Sequence, residues 1–260
     1  MPKPIIEIKN VAMLFDTSVK TETYHVLENI NIDIEKNEFV CLIGPSGCGK
    51  STLLRVIAGL QASTGGEVLF DGEKHTKPGN HIGMVFQNYS LMPWLTTEDN
   101  IRLGLDFKRI SKKEKDEIVS QYLDLINMKS FAKSMPHELS GGMQQRVAIA
   151  RTLAADPEVV LMDEPFGALD AYTRILLQKE LLNIWEKDKK TIIFVTHSVD
   201  EAIYLADRII LMSKDKGKIV KEIKIDMPRP RERSDRRYGK ITEELLSLLE
   251  TVNQESERDS

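Results

Sequence analysis

Two cysteines in 260 residues leave no room for a disulfide framework, and Cys41 and Cys48 are not spaced as a metal site. Such sparing use suits a reducing compartment. Long apolar runs are missing too: no window nears the roughly 20 residues that a membrane-spanning helix needs. The amino terminus, MPKPIIEIKN, has no extended apolar stretch behind a basic start, so no secretory signal is expected. Nor is there an excess of positive charge. Lys and Arg number 36 against 40 Asp and Glu, a net charge of −4, which argues against a nucleic-acid coat and against nucleic acid as a partner. Internal repeats and low-complexity tracts are absent. These absences leave a soluble globular protein that reaches any membrane it serves through a partner.

What is present suffices for a full core, with 41% of residues hydrophobic, in one domain or in one domain with an inserted lobe. IIEIKNVAMLF (5–15) and INIDI (30–34) alternate and read as strands. EFVCLIG (38–44) is a continuous apolar run ending in glycine, the pattern of a buried parallel strand feeding a loop. STLLRVIAGL (51–60) has helical spacing, and GGEVLFDG (65–72) reads as a strand closed by a turn. From about Thr97 to Met135 charge is dense and Leu and Ile recur at helical intervals, which predicts an inserted helical lobe. VVLMDE (159–164) and TIIFVTH (191–197) return to the buried-strand pattern, with helical AYTRILLQKELLNIWEK between them. RIILMS and GKIVKEIKI form a closing strand pair. The basic tail after Met227, PRPRERSDRRYGK, is interrupted by Glu232 and Asp235 and reads as a solvated linker in preference to a lipid-binding arm, and ITEELLSLLE reads as a terminal helix. Strands alternating with helices predict an α/β fold around a mainly parallel sheet.

GPSGCGKS (44–51) fits G-x-x-x-x-G-K-[ST] between a predicted strand and a predicted helix, the context a phosphate-binding loop requires. Gly44, Gly47 and Gly49 let the loop, which also holds Pro45, Ser46 and Cys48, curl so that successive amides face phosphate oxygens. Lys50 reaches the β- and γ-phosphates, the Ser51 hydroxyl ligates Mg²⁺, and Thr52 follows in the helix. The apolar run VVLM delivers Asp163 to the sheet edge, where it holds Mg²⁺ through water. Glu164 is then placed to polarise a water attacking the γ-phosphate. Gln87 and His197 end strands at the same edge. The Gln87 amide suits Mg²⁺ or water and His197 suits the γ-phosphate, although a lone histidine there also serves structure. ATP and Mg²⁺ are the cofactors this set implies. In ELSGGMQQR (138–146), Ser140, Gly141 and Gly142 open a helix either as a second anion cradle or as an ordinary capped surface helix.

Taken in order, GPSGCGKS, Gln87, LSGGMQQR, VVLMDE, Ala168–Asp170 and His197 resemble the ATP-binding cassette (ABC) ATPases, and the resemblance covers nearly the whole chain. It implies a P-loop NTPase, an ABC-type nucleotide-binding domain in residues 1–228. Such a domain has a RecA-like parallel-sheet core, an antiparallel β subdomain and a helical subdomain inserted at about 90–155. Residues 229–260 would add a basic linker and helix. The resemblance also implies two cassettes, a homodimer or this chain with a paralogue, closing head to tail around two ATP–Mg²⁺. The Ser140–Gly142 signature of one would cap the γ-phosphate held by the other, with Asp170 at the seam. Glu164 would be the general base, Arg146 would anchor the signature helix, and Phe15, or alternatively Tyr24, would stack on adenine. Met143 stands where the family usually has glutamine.

QNYSLMPWLTTEDNI, MDEPFGALDA, FVTHSVDEAIYLADRI and PRPRER are similar to the nitrate/sulfonate/taurine group of bacterial importer ATPases; NYSLMPW and PRPRER lean toward nitrate and bicarbonate. The implied activity is ATP hydrolysis on the cytoplasmic face of the membrane, driving uptake of a small anion such as nitrate. Bicarbonate, aliphatic sulfonate, taurine or a pyrimidine precursor are the alternatives. The implied partners are a separate permease and, indirectly, a solute-binding protein. Tyr89, Leu91, Met92, Pro93, Trp94 and Leu95 then either line a groove for a permease helix or form core of the lobe. The rival, a DNA-repair ABC ATPase, is disfavoured because no long coiled coil separates loop and signature.

Overall fold

The computed structural model describes residues 3–16, 23–167, 169–187 and 189–258. Ala168, the first residue of the expected seam segment, lies outside the described residues, as do residues 17–22 between Phe15 and Tyr24. The strands are β1 (Ile6–Asp16), β2 (Thr23–Ile34), β3 (Phe39–Ile43), β4 (Gly65–Phe70), β5 (Glu73–Lys74), β6 (Ile82–Val85), β7 (Val159–Asp163), β8 (Thr191–Val195), β9 (Arg208–Met212) and β10 (Ile219–Lys224). The helices are α1 (Lys50–Ile57), α2 (Thr97–Arg102), α3 (Lys112–Leu125), α4 (Gly141–Ala154), α5 (Ala171–Lys187), α6 (Val199–Leu205) and α7 (Arg236–Arg258). They fall into two compact units, Met1–Gly79 with Thr191–Ser260, and Asn80–Lys190.

In the first unit an antiparallel sheet runs in the order β2-β1-β4-β5. The INIDI segment is only the end of the 12-residue β2. A second set of strands centres on β3, which pairs in parallel with β8 on one side and β9 on the other, and β10 closes antiparallel on β9. Every residue of FVCLI and TIIFV is buried, which is why both read as continuous apolar runs: a parallel strand covered on both faces has no polar side to present. Phe39 meets Phe194 with ring centroids 6.0 Å apart. Leu42 pairs with Val195, so the two strands end in step. The chain therefore leaves β3 into the glycine-rich loop, and β8 into Thr196 and His197, at one carboxyl edge.

The basic tail belongs to this unit and is not the solvated linker that its charge pattern suggests. Arg231 is only 4% exposed. Its guanidinium donates to the carbonyls of Ile203 and Ala206, each at 2.6 Å, and to those of Met227 and Tyr204 at 3.2 and 3.4 Å. Arg229 donates to the carbonyl of Leu205 and to Asp207. The last carbonyls of α6 have no partner within the helix, and a guanidinium carries five donors with which to serve them. Burial pulls the Arg231 pKa down to about 10, still charged at neutral pH. The chain then continues into α7, which packs on α6 and buries Tyr238, Leu245 and Val252.

In the second unit β6 and β7 pair in parallel, with Val85 opposite Met162. Helices α2, α3 and α4 enclose a core that includes Ile101, Leu105, Val119, Leu123, Val147 and Ala154. Thr96 caps α2, and a capping box of Ser111 and Glu114 opens α3. Between β6 and α2 the chain has no regular structure, and its turn from Met92 to Thr96 is held by one buried side chain. The Asn100 amide donates to the carbonyls of Met92, Leu95 and Thr96, and its oxygen accepts from the Met92 amide.

Candidate functional site

The loop from Gly44 to Lys50 is shaped by glycines in left-handed backbone conformations. Gly47 has φ +80° and Gly49, the residue that caps α1, φ +96°. A Cβ on Gly49 would lie 2.7 Å from Leu27 Cδ2 and 2.9 Å from the Val26 carbonyl, so this position requires glycine twice over. No side chain caps α1 and no acidic residue sits in its first turn, which leaves its opening amides and partial positive charge facing the loop. Ser51 and Thr52 are half-buried in that turn. Lys50 is buried, and its ammonium donates to the carbonyls of Gly44 at 2.8 Å and Pro45 at 2.9 Å. A curled backbone, an uncapped helix start and a lysine folded over the loop together fit a phosphate chain. Cys48 is buried beside Lys50, and desolvation raises its pKa above the usual thiol value, so it offers no thiolate.

His197 is exposed, at the apex of a braced turn. The buried Thr196 hydroxyl donates to the Glu201 carboxylate and accepts from the Ser198 amide at 3.0 Å. Ser198 in turn accepts from the Glu201 amide at 3.3 Å and caps α6. Sequence reading missed this brace, although Ser198-x-x-Glu201 has the spacing of a capping box. Phe15 and Tyr24, the two candidates for stacking, are direct cross-strand partners. Both are exposed, at 43% and 53%, and partners in an antiparallel pair present their side chains on one face.

In the second unit, the register of β6 and β7 puts Gln87 and Glu164 each two residues beyond a paired position. They meet: the Gln87 amide donates to Glu164 Oε2 at 3.2 Å. Glu164 has φ +46°, a left-handed conformation uncommon outside glycine that costs about 1–2 kcal/mol. Asp163 is buried at the strand end.

Ser140 caps α4, accepting from the Met143 amide at 3.3 Å, so the ordinary capping role is present. A Cβ on Gly141 would lie 2.9 Å from the Tyr89 hydroxyl, and one on Gly142 3.1 Å from Thr173 Cγ2. Met143 packs against the helical core. Arg151, which sequence reading missed, is an anchor on this helix. It donates to the carbonyls of Ser90 at 2.7 Å and Tyr89 at 3.2 Å, joining α4 to the segment after Gln87. Asp170 is exposed and caps α5 by accepting from the Thr173 amide at 2.9 Å, and that contact holds its carboxyl below the usual range. A groove of about 730 Å³ is lined by residues including Gln87, Tyr89, Leu91, Pro93, Pro136 and Glu164. Leu91 packs against the helical core, whereas Trp94 is 70% exposed, so the stretch from Tyr89 to Leu95 divides between structure and surface. No helix among the described residues is long and apolar enough to cross a membrane.

The sequence matches the ABC transporter family over residues 27–167. The chain belongs to that family. Over 245 residues it is 51% identical to the aliphatic sulfonates import ATP-binding protein SsuB of Bacillus cereus, covering 94% of this chain and 96% of that one. It is 49% identical over 244 residues to an uncharacterized ABC transporter ATP-binding protein of Methanocaldococcus jannaschii, covering 94% and 91%. A solved ATP-binding cassette, in a dimeric post-hydrolysis state bound to ADP and Pi, matches with a TM-score of 0.77 at 36% identity, covering 86% of this chain and all of that one. The fold is thus the α/β P-loop ABC ATPase fold, and the protein is the ATP-binding subunit of an ABC importer, hydrolysing ATP in support of transport.

Proposed function

We propose that this ABC subunit powers uptake of a small oxyanion, an aliphatic sulfonate. The observation that carries this reading is the 51% identity, over nearly full length, to a sulfonate import subunit. The leaning toward nitrate or bicarbonate has less support. It rests on NYSLMPW and PRPRER, and the arginines of PRPRER are accounted for by their packing on α6. Calorimetric titration of the cognate solute-binding protein with an alkanesulfonate, taurine, nitrate and bicarbonate tests the solute. Tight sulfonate binding is expected, and binding of nitrate or bicarbonate alone would overturn the assignment.

In the proposed mechanism the loop from Gly44 to Ser51, with Thr52, binds the β- and γ-phosphates of ATP. Phe15 or Tyr24 stacks on the adenine. Mg²⁺, when bound, neutralises phosphate charge; Ser51, Gln87 and water-bridged Asp163 are the hard oxygen donors it takes. Glu164 orients the attacking water and His197 contacts the γ-phosphate. Two subunits close head to tail, and Ser140, Gly141 and Gly142 of one grip the γ-phosphate held by the other. The dimeric state of the solved relative supports this, as do the exposed Tyr172 and Ile175 beside Asp170. Mixed dimers separate cis from trans: Lys50→Ala and Ser140→Arg on different subunits should leave one site intact and active, whereas both changes on one subunit, paired with a wild-type partner, should spoil both sites. The protein works at the cytoplasmic face of the membrane, where the groove beside Gln87 receives a helix of the permease.

A further inference from the structure

We propose that PRPRER and the start of α7 form a clamp on α6 whose function is to position His197. The inference rests on the reading of His197 as the γ-phosphate contact and adds Asp200, Arg233 and Tyr238 as positioning residues that act through it.

Helix α6 begins two residues after His197 and is only seven residues long. A helix this short is not stable by itself; Ala202, Ile203 and Leu205 bury one face of it, which packs on β3, and its two ends are held separately. At the far end, Arg231 and Arg229 saturate the carbonyls of its last turn and of Ala206. At the near end, Asp200 lies three residues beyond His197. Its carboxylate accepts both Nε and a terminal nitrogen of Arg233 at 2.7 Å. The same carboxylate accepts the Tyr238 hydroxyl at 2.6 Å, and that hydroxyl also lies 2.9 Å from the Asp200 carbonyl. The Arg233 guanidinium stacks on Tyr204 of α6, 4.5 Å from the ring centre. The tail thus grips both ends of the helix, and the near grip sits one turn from the exposed imidazole.

The two grips differ in kind. Arg231 is buried and its loss would leave carbonyls unpaired, so it serves the fold. The side chains of Arg233 and Asp200 are 36% and 44% exposed, and an ion pair in that setting adds little stability. A fork-shaped pair reinforced by a third donor, on the helix that follows the proposed phosphate contact, is built for geometry.

The test uses the purified full chain carrying Arg233→Gln with Tyr238→Phe, alone and combined with His197→Ala. The paired change should lower kcat by about tenfold through misplacement of the imidazole. The Kd for mant-ATP should stay within about twofold, because on the proposed mechanism the loop from Gly44 to Ser51 supplies most of the ground-state grip on the phosphates. Arg233→Lys, which keeps the charge and loses the fork, should fall between. In the His197→Ala background the pair should lower kcat no further, since residues that act through one another are not additive. An equal loss in both backgrounds, or no loss in the wild-type background, would overturn the clamp. Wild-type kcat in His197→Ala alone would instead remove the role of His197 itself.

Discussion

The Gln87 amide lies 3.2 Å from a carboxylate oxygen of Glu164, and the pairing of two strands explains why. Val85 faces Met162 in the parallel ladder of β6 and β7, so both chains leave the sheet in step and their second residues beyond it converge. Gln87 also begins the irregular segment that lines the groove and is tied to α4 through Arg151. A permease helix that shifts this segment would shift the amide relative to the carboxylate. On the proposed roles of Glu164 and of the groove, this would give a physical route from transport to hydrolysis that requires no long-range change of fold.

Glu164→Gln keeps the volume of the side chain and an oxygen to accept from Gln87, and removes the carboxylate. ATPase turnover is expected to fall by about 10²- to 10⁴-fold, the range general-base contributions span. ATP affinity should persist, and an ATP-bound dimer should accumulate on size-exclusion chromatography. Turnover at the wild-type rate would take Glu164 out of its role.

Two loop glycines separate backbone strain from steric conflict. At Gly47 the backbone has φ +80° and a Cβ would meet nothing within 4 Å. Gly47→Ala should therefore cost only the conformational term, about 1–2 kcal/mol, seen as a Tm decrease of a few degrees. At Gly49 the same strain is joined by a Cβ 2.9 Å from the Val26 carbonyl, so the loop must move. Gly49→Ala should lower Tm further and weaken ATP binding at least about tenfold as the amides lose their aim. Equal effects at the two positions would contradict this division.

The loop, Gln87, Glu164 and the strands that carry them are legible in the sequence for a physical reason. FVCLI, VVLMD and TIIFV are buried throughout, so hydrophobicity alone marks them, and within each unit parallel pairing brings β3 and β8, or β6 and β7, to their ends in step. Side chains whose partners lie far along the chain are not legible in this way. PRPRER carries four charges in six residues and reads as solvated, yet Arg231 is buried because the end of α6 needs donors, which only the fold reveals. Near partners can be hidden as well: Asn100 is a polar residue in a polar helix until the carbonyls of Met92, Leu95 and Thr96 close around it. Phe15 and Tyr24 compete as stacking residues in the sequence and remain side by side in the structure, because they are cross-strand partners.

Met143 has no rationale in the sequence and acquires one from the fold. It is half-buried against the helical core, where the glutamine usual in the family would have to shelter an amide. Met143→Gln should lower stability by about 1 kcal/mol, the cost of partly burying an amide, with ATPase activity close to wild type. A large loss of activity at unchanged Tm would mean that Met143 acts on the nucleotide and not on packing.

Asn100 and Trp94 sit on the same stretch and should respond in opposite ways. Asn100 is fully buried and holds the turn from Met92 to Thr96 through four hydrogen bonds, with distances of 2.9 to 3.2 Å. Asn100→Ala strands these backbone groups, each costing about 1–3 kcal/mol if it finds no water. Its Tm should fall by several degrees, and hydrolysis and transport should decline together. Trp94 is 70% exposed, so Trp94→Ala should change stability by less than about 0.5 kcal/mol. Its effect should appear in the assembled transporter, as lower solute-stimulated ATPase activity and the loss of a crosslink to the permease. Fully coupled transport by Trp94→Ala would place the permease contact elsewhere on the surface. A drop in Tm matching that of Asn100→Ala would instead make Trp94 part of the lobe's own packing.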